Sequence, residues 1–201
     1  MDDLDENKII TGQGNQLEPW PVISSKVVGD FNIFTLKSIL KRSPRTGVES
    51  TYYALETLDW VNVVAITPDN RMVFVEQYRH ATNTIELEIP GGMMNSEEKD
   101  PIAAGCRELR EETGYGGESP CIIGTCFANP AILTNRSHTI LVKNCKEKYP
   151  LEWDSGEDIR IKLVPVADIF DMVSDGKIRH SIILAALFYY KLFIEKTNIN
   201  Y

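Results

Sequence analysis

Apolar and polar positions alternate in short β-type runs from Trp20 to about Glu56. These are VISSKVVG, FNIFTLKSILKR and STYYALETL, with the turn-rich SPRTGVES among them, and they predict a small antiparallel sheet. WVNVVAITPDNRMVFVEQYR then reads as two strands, VNVVAI and MVFVEQY, folded about a Pro-Asp-Asn turn. TIELEIPGG is an extended segment ending in two glycines. Downstream, CIIGTCFA, SHTILVKNC and IRIKLVPV are strand-like, whereas VADIFDMVSDGKI and the run after His180 read as helical. Strands interrupted by few helices predict an α/β chain with a mixed sheet between helical layers, preceded by an antiparallel β extension.

One helix is written more sharply than the rest. Asp100 is a suitable N-cap, Pro101 suits the first helical position, and Gly114 stops the helix after Thr113. Ile102, Ala103, Cys106, Leu109 and Arg110 are expected on its packed side, leaving Glu108 and Glu112 toward a loop or solvent. Glu108 lies three residues from Glu111 and four from Glu112, so like charges crowd one face at a cost of a few tenths of a kcal/mol per pair. Arg107 offsets part of this by pairing with Glu111 at i,i+4. A solvated acidic face is the commonplace explanation of such a run, and a bound cation is the alternative.

Composition narrows the field. A chain of 201 residues supports one main core with an appendage. We divide it into a β-rich N-terminal region, residues 1–56, and a main domain, residues 57–201. The net charge of −8 argues against a protein that grips nucleic acid through its phosphates. The acidic start MDDLDENK lacks the order of a secretory signal. The apolar run Ser181–Ile194 is interrupted by Lys191 and falls short of the roughly 20 residues that span a bilayer. Cys106, Cys121, Cys126 and Cys145 show no CxxC spacing, which fits reduced thiols and a cytoplasmic setting. His80, His138 and His180 are isolated and read as surface or hydrogen-bonded residues rather than ligands.

GGMMNSEEKDPIAAGCRELREETGY resembles the Nudix box, whose second half is matched at every fixed position by Arg107, Glu108, Leu109, Glu111, Glu112, Gly114 and Tyr115. Gly92 and Glu98 are correctly separated, but eight residues rather than seven lie between Glu98 and Arg107. Counted back from Arg107, the family glutamate position falls on Lys99, so Glu98 is given no catalytic duty. The resemblance implies a Nudix α/β/α sandwich and a divalent cation, Mg²⁺ with Mn²⁺ as substitute. Its ligands would be Glu108, Glu111, Glu112 and the Gly91 carbonyl, all hard oxygen donors. Arg107 would orient these carboxylates.

FVEQYRH followed by ELEIPGG, with Pro130 fifteen residues beyond Tyr115, is similar to the branch that hydrolyses ADP-ribose and other nucleoside-diphosphate sugars. By that resemblance Arg79 meets the diphosphate or its sugar, and Glu88 shapes the pocket beside it. Glu157 would be the general base on a mobile loop, with Gly156 permitting motion and Asp154 and Asp158 as weaker substitutes. A homodimer through the N-terminal strands is also implied. NPAILTNR departs from the serine-proline-glycine loop common among ADP-ribose enzymes, which keeps another substrate such as GDP-mannose open. Trp20, Tyr52 and Trp60 are candidates to stack on a base, with core packing as the default. The competing class is a nucleotide-sugar sensor without turnover, favoured only by the shifted Glu98. An RNA-decapping role is disfavoured by the absence of a basic footprint.

Overall fold

The computed structural model describes residues 17–153, 156 and 158–197. The described residues form three sheets and three α-helices, the strands of the second and third sheets interleaving along the chain. The first sheet is an antiparallel meander of β1 (Val22–Phe31), β2 (Phe34–Arg42) and β3 (Glu49–Glu56). The run FNIFTLKSILKR is not one strand: it breaks at a tight turn, so that Phe31 pairs directly with Phe34 across the hairpin. The sheet and its first turn expose Val27, Val28, Phe31, Ile33, Tyr52 and Tyr53.

The main body contains two further sheets. β4 (Trp60–Ala65), β7 (Gly91–Met93), β8 (Tyr115–Phe127) and β9 (Arg136–Glu147) form a mixed sheet in the order β7-β4-β9-β8, with β4 and β9 parallel. β5 (Arg71–Arg79), β6 (Thr84–Glu88) and β10 (Ile159–Pro165) form an antiparallel sheet in the order β10-β5-β6. Helix α1 (Pro101–Thr113) packs against one side, and α2 (Ile169–Ser174) and α3 (Ser181–Thr197) against the other. The strand period of two sorts the residues: Val61, Val63 and Ala65 join the core under α1, while Val64 joins the core under α3. An α/β/α sandwich results, with the antiparallel β extension before it.

The helix written most sharply has the expected ends. Asp100 accepts a hydrogen bond from the Ile102 amide at 2.9 Å, and Gly114 adopts the left-handed conformation at φ 70°. Its packed face is not the expected one. Among Ile102, Ala103, Cys106, Leu109 and Arg110 only Leu109 is buried, and the buried side is Ala104, Gly105, Leu109, Glu112 and Thr113. Close approach explains the rotation: a side chain on Gly105 would stand 3.1 Å from Ile140, so the small residues, not the larger ones, face the sheet. Burial of Glu112 follows from the same rotation.

VADIFDMVSDGKI is also less helical than its pattern suggests. A single 3₁₀ turn at Val166–Asp168 leads into the six residues of α2, and Gly176 at φ 70° closes the segment. No helix among the described residues is long and apolar enough to cross a membrane.

Candidate active site

The site is built where α1 meets the two glycines. β7 pairs with β4 in the register Val61↔Gly92 and Asn62↔Gly91. A side chain on Gly91 would collide with the Val61 carbonyl, and one on Gly92 would lie 2.7 Å from Glu108 Oε1. Two residues without Cβ therefore let a turn of α1 lay its acidic side chains on the strand. Glu112 is buried, and its Oε2 accepts the Gly91 amide at 3.0 Å. Glu108 and Glu112, one helical turn apart, thus meet the same diglycine.

Arg107 gathers the remaining carboxylates. Its Nη1 donates to Glu108 Oε1 and to Glu111 Oε2, each at 2.9 Å. Its Nε and Nη2 donate to Glu98 Oε1 at 2.8 Å and Oε2 at 2.9 Å. The Arg107 guanidinium, working against burial, holds the Glu98 carboxyl below its ordinary range. Glu98 is therefore part of this network despite its irregular spacing. A turn in which the Glu98 amide reaches the Asn95 carbonyl at 3.0 Å lies in the loop where the additional residue sits.

A second ion pair lies on the other side of the glycines. Arg79, at the end of β5, donates to Glu88 Oε1 at 2.9 Å and Oε2 at 2.6 Å, a bidentate fork between neighbouring strands. His180 Nδ1, just before α3, stands 3.0 Å from the same Oε2. Burial pushes the Glu88 carboxyl up, but Arg79 and His180 together outweigh it and hold the group at about 2. A cavity of about 280 Å³ opens here, bounded by Trp60, Asn62, Arg79, Glu88, Gly92 and His180. A larger opening of about 660 Å³ continues past His180, flanked by Arg79, Thr84, Glu86 and Arg179.

The donor set suits a hard cation. Glu108, Glu111 and Glu112 supply carboxylate oxygens along one helix with the Gly91 backbone alongside, the hard donors such a cation prefers. Among the described residues no three acidic, histidine or cysteine side chains already converge on one point. Arg107 instead holds Glu108 and Glu111, while Gly91 engages Glu112.

Glu157 and Asp154 lie outside the described residues. The segment just before them is stitched to the C-terminal end of α1, with the Trp153 indole donating to the Glu112 carbonyl at 2.8 Å and the Glu152 amide to the Glu111 carbonyl at 3.0 Å. Sequence reasoning missed His180 as a partner of Glu88, Asn62 in the cavity wall, and the Arg179–Glu86 pair. An isolated histidine or a single asparagine in a strand carries no signal of what the fold brings beside it.

The NUDIX domain family matches residues 58–187. The chain belongs to the Nudix family. The matched range of this Nudix chain runs from just before β4 into α3, and so includes the diglycine, α1, Arg79 and Glu88. Among similar proteins, the methanol dehydrogenase activator of Bacillus methanolicus is 36% identical over 88 residues, 44% of this chain and 47% of that protein. The chain's match thus spans about half the length of that relative. The ADP-ribose pyrophosphatase of Mycobacterium tuberculosis is 26% identical over 166 residues, 82% of this chain and 80% of that protein. A crystal structure of an ADP compounds hydrolase superposes with a TM-score of 0.80 at 21% identity, covering 92% of this chain and 98% of the other, which establishes the shared fold.

Proposed function

We propose that this Nudix chain is a pyrophosphohydrolase that splits the diphosphate bond of a nucleotide sugar with the aid of a divalent cation. ADP-ribose, giving AMP and ribose 5-phosphate, is the leading substrate. The observation that carries this reading is the placement of Glu108 and Glu112 on the Gly91–Gly92 strand, a few ångströms of backbone from the cavity that holds Arg79 and Glu88. Acidic oxygens for a cation and a fixed guanidinium for an anion stand on the two sides of one short strand.

In this reading Glu108, Glu111 and Glu112 hold Mg²⁺ or Mn²⁺ beside Gly91. When bound, the cation neutralises charge on the diphosphate and lowers the pKa of a coordinated water. Arg107 positions Glu108 and Glu111, and Glu98 fixes Arg107 in turn. Arg79, oriented by Glu88, places its charge against the diphosphate. Glu157 takes the proton from the attacking water as general base. The β1–β3 sheet, with its exposed apolar residues, pairs with a second copy of the chain, giving a homodimer. Four free cysteines suit a reducing cytoplasm.

The test is a panel of nucleotide sugars with Mg²⁺, resolved by chromatography of the products, with Glu112→Gln as the control. Release of a nucleoside monophosphate and a sugar phosphate by the wild type is the expected result. The variant should lose at least about a hundredfold in turnover, which corresponds to about 2.7 kcal/mol of transition-state stabilisation. Near-normal Mg²⁺-dependent turnover in that variant refutes the assignment of the cation site.

A further inference from the structure

We propose that Asn62, positioned by Ser137, is a specificity-determining residue that reads a hydroxyl of a sugar bonded directly to the diphosphate. The inference rests on the nucleotide-diphosphate reading above and names what lies beyond the diphosphate in this particular cavity. Asn62 Nδ2 donates to Ser137 Oγ at 2.7 Å, across the parallel pairing of β4 with β9. Both residues are buried, and further along the same face the strands carry Val64, two residues on from Asn62, and Leu141, four on from Ser137 and past the buried Thr139, both in the apolar core. An apolar pair of similar shape would serve that core as well or better, because replacing both partners of a buried hydrogen bond is close to neutral. The polar pair occurs where the strand borders the cavity: Asn62 is part of the cavity wall with Trp60, Ile89 and Ile182.

An independent observation lies two residues before Ser137. Asn135 is 2% exposed, and neither the oxygen nor the nitrogen of its amide has a hydrogen-bond partner among the described residues. A buried amide left in this state is costly, so a native chain retains it only for a reason. Asn62, which borders the cavity, thus stands at the end of the β4–β9 pair where Ser137 and Asn135 are also polar and buried. The Asn62 amide both donates and accepts, which is the hydrogen-bonding character of a sugar hydroxyl. The apolar surfaces of Trp60, Ile89 and Ile182 suit the C–H face of a saturated ring.

The shared cavity decides which part of the substrate is read. Asn62 and Arg79 line the same cavity of about 280 Å³, together with Gly91 and Gly92. With Arg79 placed against the diphosphate, a group held at Asn62 is the one bonded to it, a sugar, and not the base, which stands a whole pentose further away. Two sugars satisfy this condition, the terminal one and the ribose of the nucleoside, and the experiment separates them.

The test compares wild type with the double variant Asn62→Leu/Ser137→Ala, in which both hydrogen-bonding partners become apolar together so that the fold is kept. Thermal unfolding verifies this. The substrates are ADP-ribose, ADP-glucose, an ADP ester of a simple alkyl alcohol, and ADP-ribose with a 2′-deoxy nucleoside. We expect the ratio of kcat/KM for ADP-ribose over the alkyl ester to fall at least tenfold in the double variant. Loss of that selectivity against the alkyl ester assigns the hydroxyl to the terminal sugar, and loss against the 2′-deoxy substrate assigns it to the nucleoside ribose; either supports the role of Asn62. An unchanged ratio in both comparisons overturns it. A wild type inactive on the whole panel overturns the nucleotide-sugar reading itself, an outcome distinct from an active wild type with unchanged ratios.

Discussion

Replacing Glu88 by glutamine removes one charge from a side chain that is 3% exposed while nearly preserving its shape. The carboxyl is held at about 2 against an ordinary 4.5. A depression of about two and a half units is worth about 3 kcal/mol of folding stability at neutral pH, at 1.36 kcal/mol per unit. The folded-state value lies below the unfolded one, so this contribution is fully present above pH 4.5 and lost as pH falls toward 2. By pH 3 it is reduced to about half or less. Urea unfolding of wild type and Glu88→Gln at pH 7 and again near pH 3 measures it directly. The variant should be less stable by about 2–4 kcal/mol at pH 7, or about 6–12 °C in Tm for a chain of this size. The gap should narrow markedly in acid. KM for substrate should rise, since Arg79 loses the fork that orients it. A stability gap of the same size at both pH values would refute the electrostatic account, because a packing defect has no reason to titrate. A gap below about 0.5 kcal/mol at pH 7 would show that burial cancels the Arg79 and His180 contributions.

Other outcomes follow from the same geometry. Gly92→Ala should fold but displace Glu108, which a Cβ there would meet at 2.7 Å, and weaken Mn²⁺ binding measured by calorimetry; wild-type affinity would show that Glu108 is not a ligand. Gly91→Ala should instead destabilise the fold, since its Cβ meets backbone at Val61 rather than a movable side chain, and a Tm unchanged from wild type would contradict that packing. Glu157→Gln should lower the single-turnover rate by roughly 10²–10⁴ at saturating Mg²⁺, the usual contribution of a positioned base, and a wild-type rate would transfer that duty elsewhere. Charged substitutions on the apolar sheet, such as Val27→Lys with Phe31→Asp, should convert a dimer to monomer in sedimentation velocity; unchanged sedimentation would remove β1–β3 from the interface.

Local chemistry was legible in the chain. The ends of α1 follow from Asp100, Pro101 and Gly114, because capping and termination depend on residues within a turn of one another. The strands β4 and β5 follow from two apolar runs about a turn, where Asn70 takes a positive φ, but they enter different sheets and pair only at the Ile66–Met72 bridge. The carboxylates of α1 and the arginine among them were visible from spacing alone. The face on which α1 packs was not, since Gly105 is required there only because Ile140 and Val63, distant in sequence, would stand 3.1 Å and 3.3 Å from a Cβ at that position. For the same reason no local pattern announced that Glu98 would reach Arg107 across its loop, that His180 would stand against Glu88, or that Asn62 would donate to Ser137. Periodicity and capping are properties of neighbouring residues. Which buried charges meet, and which polar groups border a cavity, depends on strand register and helix rotation, and those are settled only when the sheets and helices pack together.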